Sequence, residues 1–348
     1  MTAVRQPSIV SGSVLGRRGL TLRVRPRVLA VSAIVGAILL ALIVATIMLG
    51  TKPLSVPELV SVFTGEARPS LSRSVLGRRI PRAFTALCVG ALLGISGAVF
   101  QSLSKNPLGS PDIIGFTAGA ATGAVFQIVV LRGGMLATAI AAVIGGLVTA
   151  LIVYFLARRD GVTGGLRLVL VGIGVGAVVS ALSSLLIARA NVTDAMLAQL
   201  WSAGSLTGRG WQHATATIIA LVVLAPLLGW LGRDLALIEM GDDSAAAIGV
   251  RVERTRFIAL LLAVMAAAVA TAAAGPIAFI AFASGQIARR LVQVPGVLVG
   301  LSALVGAFLL VAADLLTQNL DLGMRTPVGL ITSVLGGAYL LWLLARRI

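Results

Sequence analysis

VLAVSAIVGAILLALIVATIMLG, residues 28–50, carries no charge from end to end and lies between Arg27 and Lys52. About 20 helical residues cross the hydrocarbon core of a bilayer, and this run is long enough to do so. Comparable runs recur through to the C-terminus. The whole chain is 58% hydrophobic and 11% charged, with a mean hydropathy of +1.04. Soluble domains carry about 25% charged residues, so 348 residues of this composition belong in lipid. The fold class is therefore all-α: a polytopic helical membrane protein.

The apolar runs predict about ten transmembrane helices, near 28–50, 80–102, 111–130, 135–157, 166–189, 213–232, 257–274, 276–291, 296–317 and 327–345. Residues 28–348 then form a single membrane domain behind a tail of residues 1–27. The apolar part of Arg27–Gly50 is too long for a cleaved signal peptide and reads as a retained first span. Positive residues set the orientation, because they are retained on the cytoplasmic side. With both termini in the cytoplasm, that side receives Arg5, Arg17, Arg18, Arg23, Arg25, Arg27, Lys105, Arg158, Arg159, Arg167, Arg233, Arg251, Arg254, Arg256, Arg289, Arg290, Arg346 and Arg347. The formal net charge of +16 is thus topology information, and no nucleic-acid motif accompanies it. The rule breaks in one place. Lys52, Arg68, Arg73, Arg78, Arg79 and Arg82 gather outside, between the first two spans.

Several chemistries are absent. One cysteine, Cys88, and one histidine, His213, exclude a disulfide framework and any metal site rich in either residue. There is no GxxxxGK[ST] phosphate loop and no HExxH. A proton-driven carrier keeps ionisable groups at the bilayer centre despite their cost. Here the acid nearest a span interior is Asp314, toward one end, and Asp112 follows Pro111 at a predicted helix start, where capping explains it. Energy must then come from another subunit. Gly115, Gly119 and Gly123, and likewise Gly90 and Gly94, recur every four residues, the small-xxx-small pattern that lets helices pack backbone to backbone.

Four segments carry further information. RRIPRAFTALCVGALLGISGAVFQSLSKNPLGSPDIIGFTAGA spans Arg78 to Ala120, and WSAGSL spans Trp201 to Leu206. MGDDSAAAIGVRVERTR runs from Met240 to Arg256, within the long polar connection 233–256. GPIAFIAFASGQIARRL then begins at Gly275 and TPVGLITSVLGGAYLLWLL at Thr326. Read alone, arginine at the start of a helix opposes the dipole and calls for an anion nearby, or for snorkelling to lipid headgroups. The Lys105–Leu108 stretch reads as a proline turn, Ser183 and Ser184 as packing serines, and Gly204 as a helix breaker. Asp242–Ala247 reads as a short surface helix ended by Gly249.

In this order the segments resemble the FecCD family of ABC importer permeases, which carry ferric siderophores, haem and cobalamin. The resemblance implies a type II ABC importer permease working by alternating access. Arg79 and Arg82 would dock acidic residues of an extracytoplasmic binding protein. The family's further docking arginine falls at Gln318 here, with Arg325 close by as a substitute. Asn106, Pro107 and Leu108 would form a cytoplasmic gate with Ser183 and Ser184, and Gly204 and Ser205 an outer gate. Gly241, Asp242, Asp243, Ala247 and Gly249 would form the coupling helix that seats in a partner ATPase.

The implied partners are ABC ATPase subunits, a second permease subunit (identical or paralogous), a siderophore-binding protein and the ferric siderophore. No cofactor would be bound by this chain, since ATP and Mg belong to the ATPase. The chain would lie in the cytoplasmic (inner) membrane and is not itself an enzyme. AFASGQIARR lacks the family's commoner proline and histidine, and with GGAYLLWLL it looks most like permeases for catecholate or mixed siderophores. A cobalamin or haem importer, an ion-coupled carrier and a membrane scaffold are the competing readings.

Overall fold

The computed structural model describes residues 13–17, 20–50, 52–112, 114–159, 162–163, 165–294, 296–319 and 326–345. Two short antiparallel ribbons occur: β1 (Ser13–Arg17) with β2 (Leu20–Val24), and β3 (Arg158–Arg159) with β4 (Val162–Thr163). Everything else that is regular is helical.

The first half runs α1 (Pro26–Met48), α2 (Val56–Thr64), α3 (Pro69–Ser74), α4 (Ile80–Leu103), α5 (Phe116–Phe126), α6 (Met135–Ala157) and α7 (Gly165–Arg189). The second runs α8 (Val192–Ser202), α9 (Trp211–Met240), α10 (Asp242–Ala247), α11 (Val252–Ala274), α12 (Ile280–Val292), α13 (Val299–Asn319) and α14 (Val328–Ala345). A π-helical turn, Val75–Arg79, fuses α3 to α4, and another, Gln127–Leu131, extends α5.

Seven helical stretches among the described residues are long and apolar enough to cross a membrane, and Phe116–Leu131 and Val328–Trp342 are shorter apolar helices. With α12 they fill all the expected span positions. Three boundaries differ from expectation. The third span starts at Phe116 instead of Pro111, and the eighth at Ile280 after a non-helical stretch, Gly275–Phe279. The sixth continues to Met240. An additional helix, α8, occupies the connection before WSAGSL ends.

The bundle is organised around α4. In the apolar 18-residue stretch of Pro69–Leu103, 89% of residues are buried within the chain, against 6% in the corresponding stretches of α1 and α7. The other helices wrap α4, with α13, α9, α11 and α12 against it. Glycines set how closely they approach. A Cβ at Gly94 would stand 2.2 Å from the Ser302 carbonyl oxygen, and one at Gly90 would stand 2.4 Å from that of Gly306. On the α12 side a Cβ at Gly97 would lie 1.7 Å from the Ala281 carbonyl oxygen. The expected glycine face is therefore a packing face. Two polar bonds cross these contacts: Ser96 donates to the Ala263 carbonyl at 2.7 Å, and Gln101 donates to that of Phe282 at 2.8 Å. Such bonds within membranes average about 0.6 kcal/mol, so the close van der Waals fit carries most of the association.

Candidate functional site

Functional groups cluster at three levels, beginning at the end of the bundle that carries Arg79. Arg82 grips Asp314 of α13 with two nitrogens, Nη2 to Oδ1 at 2.7 Å and Nε to Oδ2 at 3.1 Å. Asp314 is fully buried, and Gln318, one turn on, donates to its Oδ2 at 2.8 Å. Arg79 turns to the end of α1, donating to the Ile47 and Lys52 carbonyls, each at 2.7 Å. A cation there satisfies carbonyls left open at a helix C-terminus and complements its dipole. The anion that the misplaced arginines call for is thus in the chain itself, and the dipole conflict at α4 is offset at α1.

Arg79 and Arg82 thus both have internal partners. They nevertheless line, with Arg78, Arg209, Gln318 and Thr317, a cavity of about 470 Å³ at this end. Arg325 lies outside the described residues. Sequence reading missed Asp314 as a partner. The available signal was a lone carboxylate near the end of one span and a cluster of arginines at the matching end of another.

The middle level is built from interrupted helices. Gly204 (φ +68°) lies where three pieces of backbone meet. Its carbonyl accepts from the Gly329 amide at 3.2 Å, the Ser205 amide donates to Ala274 at 2.7 Å, and a Cβ at Gly204 would stand 2.2 Å from the Pro276 carbonyl oxygen. The WSAGSL turn is therefore seated on the break between α11 and α12 and on the start of α14. Beside it a cavity of about 350 Å³ is lined by Thr117, Ser180, Ser202, Ala278, Leu330 and Ser333. Non-helical backbone at membrane depth is tolerated where it is buried in protein or lines such a cavity.

Asp112 is not the cap of the third span. Gly115 takes that position, and the Asp112 carboxylate accepts from the Thr117 hydroxyl, tying the α4–α5 connection to the first turn of α5.

At the Lys105 end, Asn106 Oδ1 accepts from the Leu108 amide at 2.9 Å, which closes the turn. Gln286 of α12 donates to the Pro107 carbonyl at 2.7 Å. Ser183 and Ser184 are not brought to this turn. Gly115 packs on Gly172 and Gly176, and Thr122 donates to the Val179 carbonyl at 2.9 Å, so α5 and α7 run parallel. The two serines lie a further turn along α7, away from Lys105, with Ser184 donating to the Ser180 carbonyl at 3.0 Å. The 106–108 turn and Ser183 with Ser184 therefore stand at two separate levels of the bundle.

The 240–249 segment folds as the residues imply. Asp242–Ala247 is helical, Gly241 (φ +138°) and Gly249 (φ +92°) flank it, and Asp243 and Ala247 are exposed. Met240 and Ile248 stand beside it at 77% and 64% exposure, an apolar rim on a polar connection. Burial alone would raise the Asp242 carboxyl, but Lys105 and Arg256 outweigh it and hold the group below the usual carboxylate range.

A helical membrane bundle with interrupted helices around a polar cavity, no phosphate loop of its own and a short exposed helix between two spans is the permease subunit of an ABC importer. The particular family follows from comparison. The chain belongs to the FecCD transport family, whose model matches residues 37–346. It is 44% identical over 300 residues to the ferric enterobactin transport system permease FepG of Escherichia coli strain K12, covering 86% of this chain and 90% of that one. It is 34% identical to the iron(3+)-hydroxamate import permease FhuG of Bacillus subtilis strain 168, covering 91% and 97%. A solved structure described as an inward-facing conformation of a metal-chelate type ABC transporter superposes with a TM-score of 0.82 at 26% identity, covering 92% of this chain and 99% of that one.

Proposed function

We propose that this chain is the permease subunit of an ATP-driven, binding-protein-dependent importer for a ferric siderophore of catecholate or mixed type. The single observation that carries the substrate class is the 44% identity, across nearly the whole chain, to a ferric enterobactin permease. In this reading the protein sits in the inner membrane with both termini in the cytoplasm, as one membrane domain from residue 28 onward. The Arg79 end faces the binding protein and α10 faces the ATPase, which supplies ATP and Mg. A second permease subunit covers the exposed faces. Residues 106–108 close the pathway toward the cytoplasm, and Gly204 with Ser205 close it on the other side.

Transport then needs no high-affinity site in the chain. The cavity between α5, α7, α8 and α14 offers hydroxyls and small apolar groups that solvate a large chelate without trapping it. A binding protein approaching the Arg79 end meets Arg78, which is exposed, and then the cavity that holds Gln318 and Arg209.

A second reading, cobalamin import, has one observation in its favour. A cobalamin import permease, BtuC of Halobacterium salinarum, is 34% identical, covering 80% of this chain and 75% of that one.

The test is uptake by a deletion strain of a ferric catecholate, a ferric hydroxamate, haem and cobalamin in parallel. Loss confined to a ferric siderophore, restored by the intact gene, is the expected result. Loss of cobalamin or haem uptake alone overturns the substrate assignment. Arg78→Glu is expected to restore only about a tenth of the uptake at limiting binding protein, since one reversed rim charge weakens docking by about 1.4 kcal/mol. Full restoration by that variant would remove Arg78 from the docking surface.

A further inference from the structure

Between the turn that closes the pathway and the helix assigned to the ATPase lies a chain of charges that neither role requires. Lys105 is the second residue beyond α4 and holds a left-handed backbone, φ +49°, which a non-glycine residue adopts only under local constraint. Its Nζ donates to Asp242 Oδ1 at 2.9 Å. Asp242 is the first residue of α10, far along the chain from Lys105. Both Asp242 oxygens also accept from Arg256 Nη2 of α11, at 3.1 and 3.0 Å. Arg256 is 2% exposed and pairs through Nη1 with Glu253. One carboxylate thus joins the 105–108 turn, α10 and α11.

Beyond Asp242, the side chain that α10 buries is Ala245. The helix is six residues long and stands between Gly241 and Gly249, both in backbone conformations that favour glycine. A side chain added at Gly249 would meet nothing. A rigid push on such a helix rotates it about the two glycines unless a side chain transmits the motion. Asp242 is the residue placed to do so. On the other side the turn is anchored by Gln286 to α12, so a displacement at Lys105 is taken up across residues 105–108. The Lys105 and Asp242 side chains are 38% and 35% exposed. Partly exposed ion pairs add little to stability, so holding the fold together does not account for this one. The buried Arg256 keeps the carboxylate aimed at Lys105.

We propose that Asp242 is the mechanical tie between the ATPase and the cytoplasmic gate, with Lys105 and Arg256 as its positioning residues on the gate turn and on α11. This rests on the reading of α10 as the ATPase contact.

The test uses the full complex of permease, ATPase and binding protein in proteoliposomes. Its readout is substrate transported per ATP hydrolysed, beside the amount of ATPase that co-purifies. Lys105→Met is expected to lower transport per ATP at least tenfold, with co-purification and basal hydrolysis unchanged. Lys105→Arg, which keeps the charge and the reach, is expected to stay within about twofold of the wild type. A merely structural role would lower assembly and leave the ratio alone. An unchanged ratio in Lys105→Met overturns the proposal, and so does a ratio lost equally in Lys105→Arg.

A second measurement does not depend on tolerance of the substitution. Cys88 is the only cysteine and is buried, so Lys105→Cys with Asp242→Cys can be bridged selectively by a short thiol cross-linker. The bridge is expected to restore coupling lost in the unbridged pair, and no restoration counts against the tie. Failure of the α10 reading shows separately. An Ala247→Trp variant that still co-purifies and couples normally would refute ATPase contact at α10, and the tie with it.

Discussion

Arg82→Ala is expected to destabilise the folded bundle by about 3–5 kcal/mol, read as a drop in the thermal transition in detergent and as loss of protein from the membrane fraction. Asp314 has no exposure, and Arg82 is its charged partner, meeting both carboxylate oxygens. Removing the guanidinium leaves a carboxylate inside a helical bundle with Gln318 as its remaining side-chain donor. The cost is that of an uncompensated buried charge, which exceeds the net worth of the pair. Two further variants separate this from simple loss of packing. Arg82→Lys keeps the charge but lacks the planar fork that meets both oxygens, so it should fall between wild type and alanine. Arg82→Leu with Asp314→Leu removes both charges and should be milder than Arg82→Ala alone. A double variant as damaged as the single would show that the pair is not the cause.

Gly97→Val is the second large effect. The added Cβ would lie 1.7 Å from the Ala281 carbonyl oxygen, and the neighbouring Ala281 carbon and Cα are within 2.8 Å. No rotamer relieves a clash with backbone, so α4 and α12 must separate. Overpacking that side chains can absorb costs about 1–3 kcal/mol, and a backbone clash at the hub helix should exceed that range. Failure to accumulate as folded protein is expected. Gly36→Ala is the matched control: it is in α1, nothing lies within 4 Å of its Cβ, and alanine favours the helix. Equal damage from both variants would mean that glycine content, and not the α4–α12 crossing, sets stability.

Periodic and compositional features were legible in the sequence. The apolar runs located a helix at every span position, GDDSAAAIG located α10 and its bounds, and the four-residue glycine spacing located a packing face of α4. These are properties of consecutive residues. What was not legible depends on partners distant in sequence. Arg82 and Asp314 are 232 residues apart, and only the folded bundle shows that one satisfies the other.

The late starts of α5 and α12 were hidden for a related reason. Hydropathy reports whether a residue suits lipid, whereas the 111–115 and 275–279 backbone bonds locally without forming helix: the Gly115 amide donates to the Asp112 carbonyl and the Gly275 amide to that of Thr271. The separation of Ser183 and Ser184 from the 105–108 turn is likewise set by rise along the helix, which residue types do not report. At about 1.5 Å per residue the two serines stand near the far end of a span that begins at Gly165.

The most direct measurement places this chain in sealed proteoliposomes with its ATPase inside, the binding protein outside, and a radio-iron catecholate siderophore as substrate. Accumulation that requires enclosed ATP and the binding protein, and that is indifferent to a collapsed ion gradient, is the expected result. Accumulation driven by an ion gradient without ATP would contradict the assignment as an ABC importer permease.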